Sequence, residues 1–167
     1  MAESRTTSNV RSEKKAKEYL VGLGVGFHEC TNEVRQTIVS DIIGDRIFLK
    51  SFDMVLLRAQ FASPLSAISA EQLSEAKLVE VKSSSRDIPV GLSGYYFSVQ
   101  QREIDLAGKL ADRLVFVFVV IPDSGSPIHH ETMSWDDIKR RAKQMRTQVT
   151  TVRLKTPVNR AVCRGQA

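Results

Sequence analysis

Three polar residues stand inside apolar, strand-like runs of this sequence. Asp53 lies in Ser51-Phe52-Asp53-Met54-Val55-Leu56-Leu57-Arg58, and Glu80 and Lys82 lie in Lys77-Leu78-Val79-Glu80-Val81-Lys82-Ser83-Ser84-Ser85. If both runs are strands, the side chains of 80 and 82 leave one face while Val79 and Val81 point into the other. Burying an unpaired carboxylate costs several kcal/mol, so Asp53 and Glu80 need a partner, and a divalent cation is a natural one. The arrangement is that expected of a metal site. A Glu-X-Lys pair also occurs as an exposed same-face ion pair worth under about 1 kcal/mol, so the surrounding elements must decide.

Periodicity and caps predict those elements. Ser12 can cap a helix whose Ala16, Tyr19, Leu20 and Leu23 form one apolar stripe. Gly22, Gly24 and Gly26 follow that helix and read as its terminator, not as a dinucleotide fingerprint. Residues 25–30 suit a short strand. Residues 31–43 read either way: Val34, Ile38 and Ile42 suit a helix, and Thr37-Ile38-Val39 suits a strand. Residues 47–58 predict one strand or a bent pair with Asp53 near the middle, and 59–76 an excursion containing a short helix opened by Ser69. Strand 78–82 follows, then a loop at 83–94 marked by three serines, Pro89, Gly91 and Gly94.

Residues 95–97 predict a short strand, which either contributes aromatic rings to the core or contacts bases. Ser98 with Gln101 then makes a capping box for a helix to about Leu110, burying Ile104, Leu106, Ala107 and Leu110. The continuously apolar run 114–121 is a strand covered on both faces, so the fold class is α/β, with helices on both sides of a mixed sheet. Ser134 caps a last helix through about Met145, with Trp135 as a packing staple, and residues 149–154 suit an edge strand. His28 with Cys30, and His129 with His130, lack the spacing of a zinc site.

A chain of 167 residues, 42% apolar and 26% charged, is expected to form one domain with its own core. No apolar run reaches the length of a membrane span, and residues 1–9 lack the apolar stretch of a secretory signal. Two distant cysteines, Cys30 and Cys163, make no disulfide framework, so a reducing cytoplasm is the expected compartment. The net charge of +5 is unevenly placed. Nine basic residues and no acid follow Asp137: Lys139, Arg140, Arg141, Lys143, Arg146, Arg153, Lys155, Arg160 and Arg164. The rest of the chain, fifteen basic residues against nineteen acidic, carries −4. A segregated basic segment without an amphipathic anchor suits nucleic acid better than a membrane; the plainer alternative is a solvated tail.

The order of helix, strand with Asp53, strand with Glu80-Val81-Lys82, helix and apolar strand resembles the PD-(D/E)XK nuclease superfamily over residues 11–146. Phe52-Asp53 stands where that pattern has Pro-Asp, and Glu80-Val81-Lys82 matches its acidic-X-Lys element. The serines that follow, the aromatic segment, and Ser98-Val99-Gln100-Gln101-Arg102-Glu103-Ile104-Asp105-Leu106-Ala107 extend the likeness to the Mrr-like, restriction-endonuclease-like branch. Phe52 in place of proline, and the long stretch between Asp53 and Glu80, depart from it.

The resemblance implies a restriction-endonuclease-like fold and Mg²⁺-dependent DNA endonuclease activity, with Mn²⁺ as a substitute ion. Asp53, Glu80 and the Val81 carbonyl would hold the metal, which activates water and neutralises charge on the phosphate. Lys82 would orient or deprotonate that water and stabilise the developing charge, a role helped if neighbouring cations lower its pKa. The first helix would contribute Glu13, or else Glu18. Gln101 would lie near the metal or phosphate, or else only cap its helix. Ser83, Ser84 and Ser85, with Arg140, Arg141, Lys143 and Arg146, would contact DNA, expected to be duplex. Residues 1–10 are expected to be disordered and 147–167 to form a basic extension. A homodimer is expected for cutting two strands, with no membrane partner and no cofactor beyond the metal. The rival readings are a catalytically idle nucleic-acid-binding module of the same fold and an RNA-directed nuclease.

Overall fold

The structure, a computed structural model, describes residues 3–58 and 61–142, with side chains from residue 11 onward. Lys143, Arg146, Arg153, Lys155, Arg160, Arg164, Cys163 and the edge strand expected at 149–154 lie outside the described residues.

The sheet is built around β4 (Leu114–Val120), in which every residue is buried. Val115, Val117 and Val119 pack with Ala16 and Leu20 of α1 (Glu3–Gly22) on one side. Leu114, Phe116, Phe118 and Val120 pack on the other side with residues from α2 (Asn32–Ile38), α4 (Gln101–Leu110) and α5 (Trp135–Arg141). A strand with no polar residue needs two covered faces, and both are present, as the sequence predicts. β3 (Lys77–Ser84) lies parallel to β4, with Leu78 opposite Leu114 and Ser84 opposite Val120. Parallel neighbours require a crossover, which α4 supplies. β2 (Met54–Leu56) pairs antiparallel with β3, β1 (Phe27–Glu29) with β2, and β5 (His129–Ser134) with β4. The protein is thus α/β, with a mixed five-stranded sheet in the order β1-β2-β3-β4-β5 flanked by helices. Among the described residues no helix is long and apolar enough to cross a membrane.

Several expectations are corrected. α1 begins at Glu3, so Ser12 lies inside it; its hydroxyl donates to Ser83 Oγ at 3.0 Å instead of capping a helix. Residues 31–43 are helical: Thr31 Oγ1 accepts from Val34 N, Val34 and Ile38 are buried, and a wider π turn (Val39–Ile43) carries Val39 and Ile43 into the core. Residues 46–50 form a 3-10 helix capped by Asp45, so the strand starts only at Met54 and Asp53 stands just before it. Residues 95–97 are not a strand. Tyr95 and Phe97 are turned instead onto Phe118, ring centroids 5.3 and 4.7 Å away. β5 was not anticipated, because His-His-Glu-Thr-Met-Ser is polar and only Met133 in it is buried; its pairing with β4 makes it a strand. The short helix α3 (Ala70–Glu75) is capped by Ser69, and Trp135 at the start of α5 packs 5.8 Å from Phe116, both as expected.

The turn from α1 into β1 depends on Gly26. Its φ is +101°, and a Cβ there would sit 1.9 Å from the Leu57 carbonyl oxygen. Gly26→Ala should therefore cost about 2 kcal/mol or more by urea unfolding, whereas Gly22→Ala, where a Cβ meets nothing, should stay within about 0.5 kcal/mol of wild type.

Candidate functional site

Asp53 is held by its backbone before its side chain does anything. Its N–H donates at 2.7 Å to the carbonyl of Val79, the residue that pairs with Met54, which ties Asp53 to the end of the β2–β3 ladder. Asp53 is thereby held close enough to Glu80 for its charge to act on that carboxyl. From α2, Arg35 donates to the carbonyls of Phe52 and Asp53, and its guanidinium lies 5.0 Å from the Phe52 ring centroid. Phe52, where the resemblance has proline, is thus a buried anchor stacked under that guanidinium. The Asp53 side chain then reaches two partners. Oδ2 accepts from Val81 N at 2.9 Å, and Oδ1 pairs with Lys17 Nζ of α1 at 2.9 Å.

Glu80 and Lys82 occupy the face of β3 that looks toward α4. Lys82 Nζ donates to Glu80 Oε1 and to Glu103 Oε2, each at 2.8 Å. Glu103 is 2% exposed, and the same Oε2 accepts from Gln100 N, closing the first turn of α4. Burial, and next the charge of Asp53, push the Glu80 carboxyl up to about 8, against the opposing pull of Lys82. Burial alone would lower the Lys82 pKa, but Glu80 and Glu103 outweigh it and hold the ammonium above its ordinary value. This corrects the expectation that nearby cations depress Lys82. Its neighbours are carboxylates, so it is a cation at neutral pH. Lys17 behaves alike: burial is outweighed by Asp53 and Glu13.

The remaining expected residues divide. Glu13 bonds Lys17 at 2.6 Å and so meets Asp53 only through that lysine, while the alternative, Glu18, is an exposed partner of Lys14. Gln101 is exposed and donates to Asp105 Oδ1 at 2.8 Å. The helix is entered at Gln100, not Ser98, because burying Glu103, Leu106 and Ala107 sets its phase. Ser83 and Ser84 end β3 instead of opening a loop, and with Ser85 they line a cleft beyond Lys82. Arg140 and Arg141 pair with Asp137 and Glu131, and Lys139 with Asp136, so each described cation of the basic segment holds a local carboxylate. Lys143 and Arg146 are outside the described residues. Lys17, Arg35 and Glu103 were missed. Glu103 had a legible signal in Gln100-Arg102-Glu103 spacing, an N-cap with an acid three residues on. Lys17 and Arg35 had none, because their partners are distant in sequence.

Among the described residues no three His, Cys, Asp or Glu side chains gather into a metal-holding group. The donors present are nonetheless chemically suited to Mg²⁺: a carboxylate just before β2 and a carboxyl on β3, the latter raised by burial and then by the former's charge, whose present counter-ions are ammonium groups. Hard oxygen donors of this number leave coordination positions to water, which Mg²⁺ tolerates. Compared with known proteins, the chain matches no family model, no characterised protein and no solved structure.

Two stability measurements follow. Glu80 binds its proton more tightly folded than unfolded, so metal-free stability should fall as pH rises from the unfolded value near 4.5 through about 8. Glu80→Gln should therefore gain on wild type by a few kcal/mol at about pH 9 and lose that advantage at about pH 4, measured by denaturant unfolding in EDTA. Glu103→Ala removes one of two carboxylates on a buried ammonium together with the start of α4, and should cost about 3 kcal/mol at neutral pH.

Proposed function

We propose that the chain is a metal-dependent phosphodiesterase acting on DNA, a PD-(D/E)XK-type endonuclease with the restriction-endonuclease-like fold. One observation carries the reading: the Asp53 carboxylate, just before β2, accepts from Val81 N between Glu80 and Lys82 and lies within electrostatic reach of Glu80, which shares a strand face with Lys82. Carboxylates arranged to share a cation, next to an ammonium, are the parts that hydrolysis of a phosphate diester needs.

Asp53, Glu80 and the Val81 carbonyl would hold Mg²⁺ or Mn²⁺, which when bound supplies a water acidic enough to be deprotonated and a positive charge for the phosphate. The chain does the rest. Arg35 and the β-ladder fix the Asp53 carboxylate, and Val81 N–H orients it. Lys82, held charged by Glu80 and Glu103, donates hydrogen bonds to the attacking water or to a phosphoryl oxygen, stabilising the charge that grows there. The water oxygen bonds to phosphorus and gives up its proton to bulk water, the bond to the leaving oxygen breaks, and the leaving oxygen takes up a proton from bulk water. Lys82 is charged, so its role is electrostatic and orienting instead of that of a base. Double-strand cutting would require two such sites, hence a symmetric dimer.

Asp53→Ala, Glu80→Ala and Lys82→Ala should each lower Mg²⁺-dependent cleavage of plasmid DNA by on the order of 100-fold or more, with circular dichroism unchanged. Full cleavage by Glu80→Ala would refute the reading. Calorimetric titration should show Mn²⁺ binding that Asp53→Ala abolishes; absence of binding to the wild type would favour the idle nucleic-acid-binding module instead. Parallel assays on single-stranded DNA and RNA decide the substrate.

A further inference from the structure

A cleft of about 270 Å³ opens at the end of β3, lined by Ser12, Ser83, Ser84, Ser85, Arg86 and Tyr96, with Ile88 and Gly94. Its polar lining is hydroxyl groups and one guanidinium, with no carboxylate. Such a surface is complementary to an anion. Ser12 donates to Ser83 Oγ at 3.0 Å, so the two hydroxyls that line the cleft from α1 and β3 are held together. Among the described residues Arg86 forms no ion pair, unlike Arg140 and Arg141, and the residue is exposed.

Tyr96 is the second, independent feature. The aromatic triplet is split by the fold: Tyr95 and Phe97 both turn edge-on to Phe118, and Tyr96 between them is 87% exposed. The segment carrying it is tied down elsewhere. His129 Nε2 bonds Ile88 O at 2.8 Å, Ser124 donates to Asp87 at 2.9 Å, and Arg141 donates to Gly91 O. With its neighbours anchored, the ring cannot fold inward without dislodging them. A flat aromatic face beside an anion-binding cleft fits a nucleotide unit, phosphate on one and base or sugar on the other. β3 rises about 3.3 Å per residue, so Ser83 and Ser84 stand within about 7 Å of Lys82 along the strand, one or two nucleotide steps.

We propose that this cleft is a nucleotide subsite: it takes the phosphate next to the one attacked on Arg86 and the serine hydroxyls, and the attached base or sugar on Tyr96. This rests on the nuclease reading of Asp53, Glu80 and Lys82, and it adds a polynucleotide contact that the charged segment after Asp137 does not supply. The test is fluorescence anisotropy of end-labelled single-stranded and duplex DNA titrated with the full chain in EDTA, so that no cleavage competes, at several salt concentrations. Tyr96→Ala should weaken binding on the order of tenfold with the salt slope unchanged, and Tyr96→Phe should bind as the wild type does. Arg86→Ala should weaken binding and reduce the slope of log affinity against log salt by about 0.7 to 0.9, the loss of one phosphate contact. Either alanine variant binding like the wild type overturns the subsite while leaving the nuclease reading intact. A wild type that binds no DNA overturns both.

Discussion

Glu80, Lys82 and Glu103 put three ionisable groups into the interior between β3 and α4, and none of them is tolerable there in charged form alone. A buried carboxylate without a partner either loses its charge or destabilises the fold. Lys82 shared between two carboxylates, each at 2.8 Å, is the arrangement that keeps the cluster in place. Its net contribution to stability is small, since such pairs often do no better than apolar side chains of the same volume. What it contributes is specificity. Glu103 reaches Lys82 only if α4 has one rotation, and that rotation buries Leu106 and Ala107 and starts the helix at Gln100.

The charge left over is what makes the cluster chemically interesting. Asp53, across the ladder, adds a further negative group close enough to help push Glu80 up to about 8. These groups stand on rigid elements: β4 is buried throughout, and Arg35 grips the backbone on which Asp53 stands. Lys17 completes the pattern as the ammonium opposite Asp53, bringing α1 into the electrostatics of the site.

Apolar patterning made much of the frame legible in advance. The uninterrupted run at 114–121 required a strand with two covered faces, and the stripe of Ala16 and Leu20 supplied one of the covers. Ser69 and Ser134 announced their helices, since a cap acts on residues three positions away. The errors fell where tertiary contacts outweigh local preference. Residues 46–50 look like strand yet wind as a 3-10 helix, β5 is too polar to show itself, and the aromatic triplet is divided by packing on Phe118.

Of the site, the sequence by itself determined Asp53, Glu80 and Lys82, because polar residues interrupting apolar strands are visible at short range. It also determined that residues 80 and 82 share a face, a consequence of strand period alone. Only the tertiary structure decided that Asp53 reaches β3 within electrostatic range of Glu80, that Lys17, Arg35 and Glu103 hold these groups, and that Lys82 is flanked by carboxyl groups instead of cations. Those facts join residues from α1, α2, β2, β3 and α4. Contacts between elements depend on register and helix phase, which are settled by burying the core as a whole and leave no mark in any one stretch of sequence.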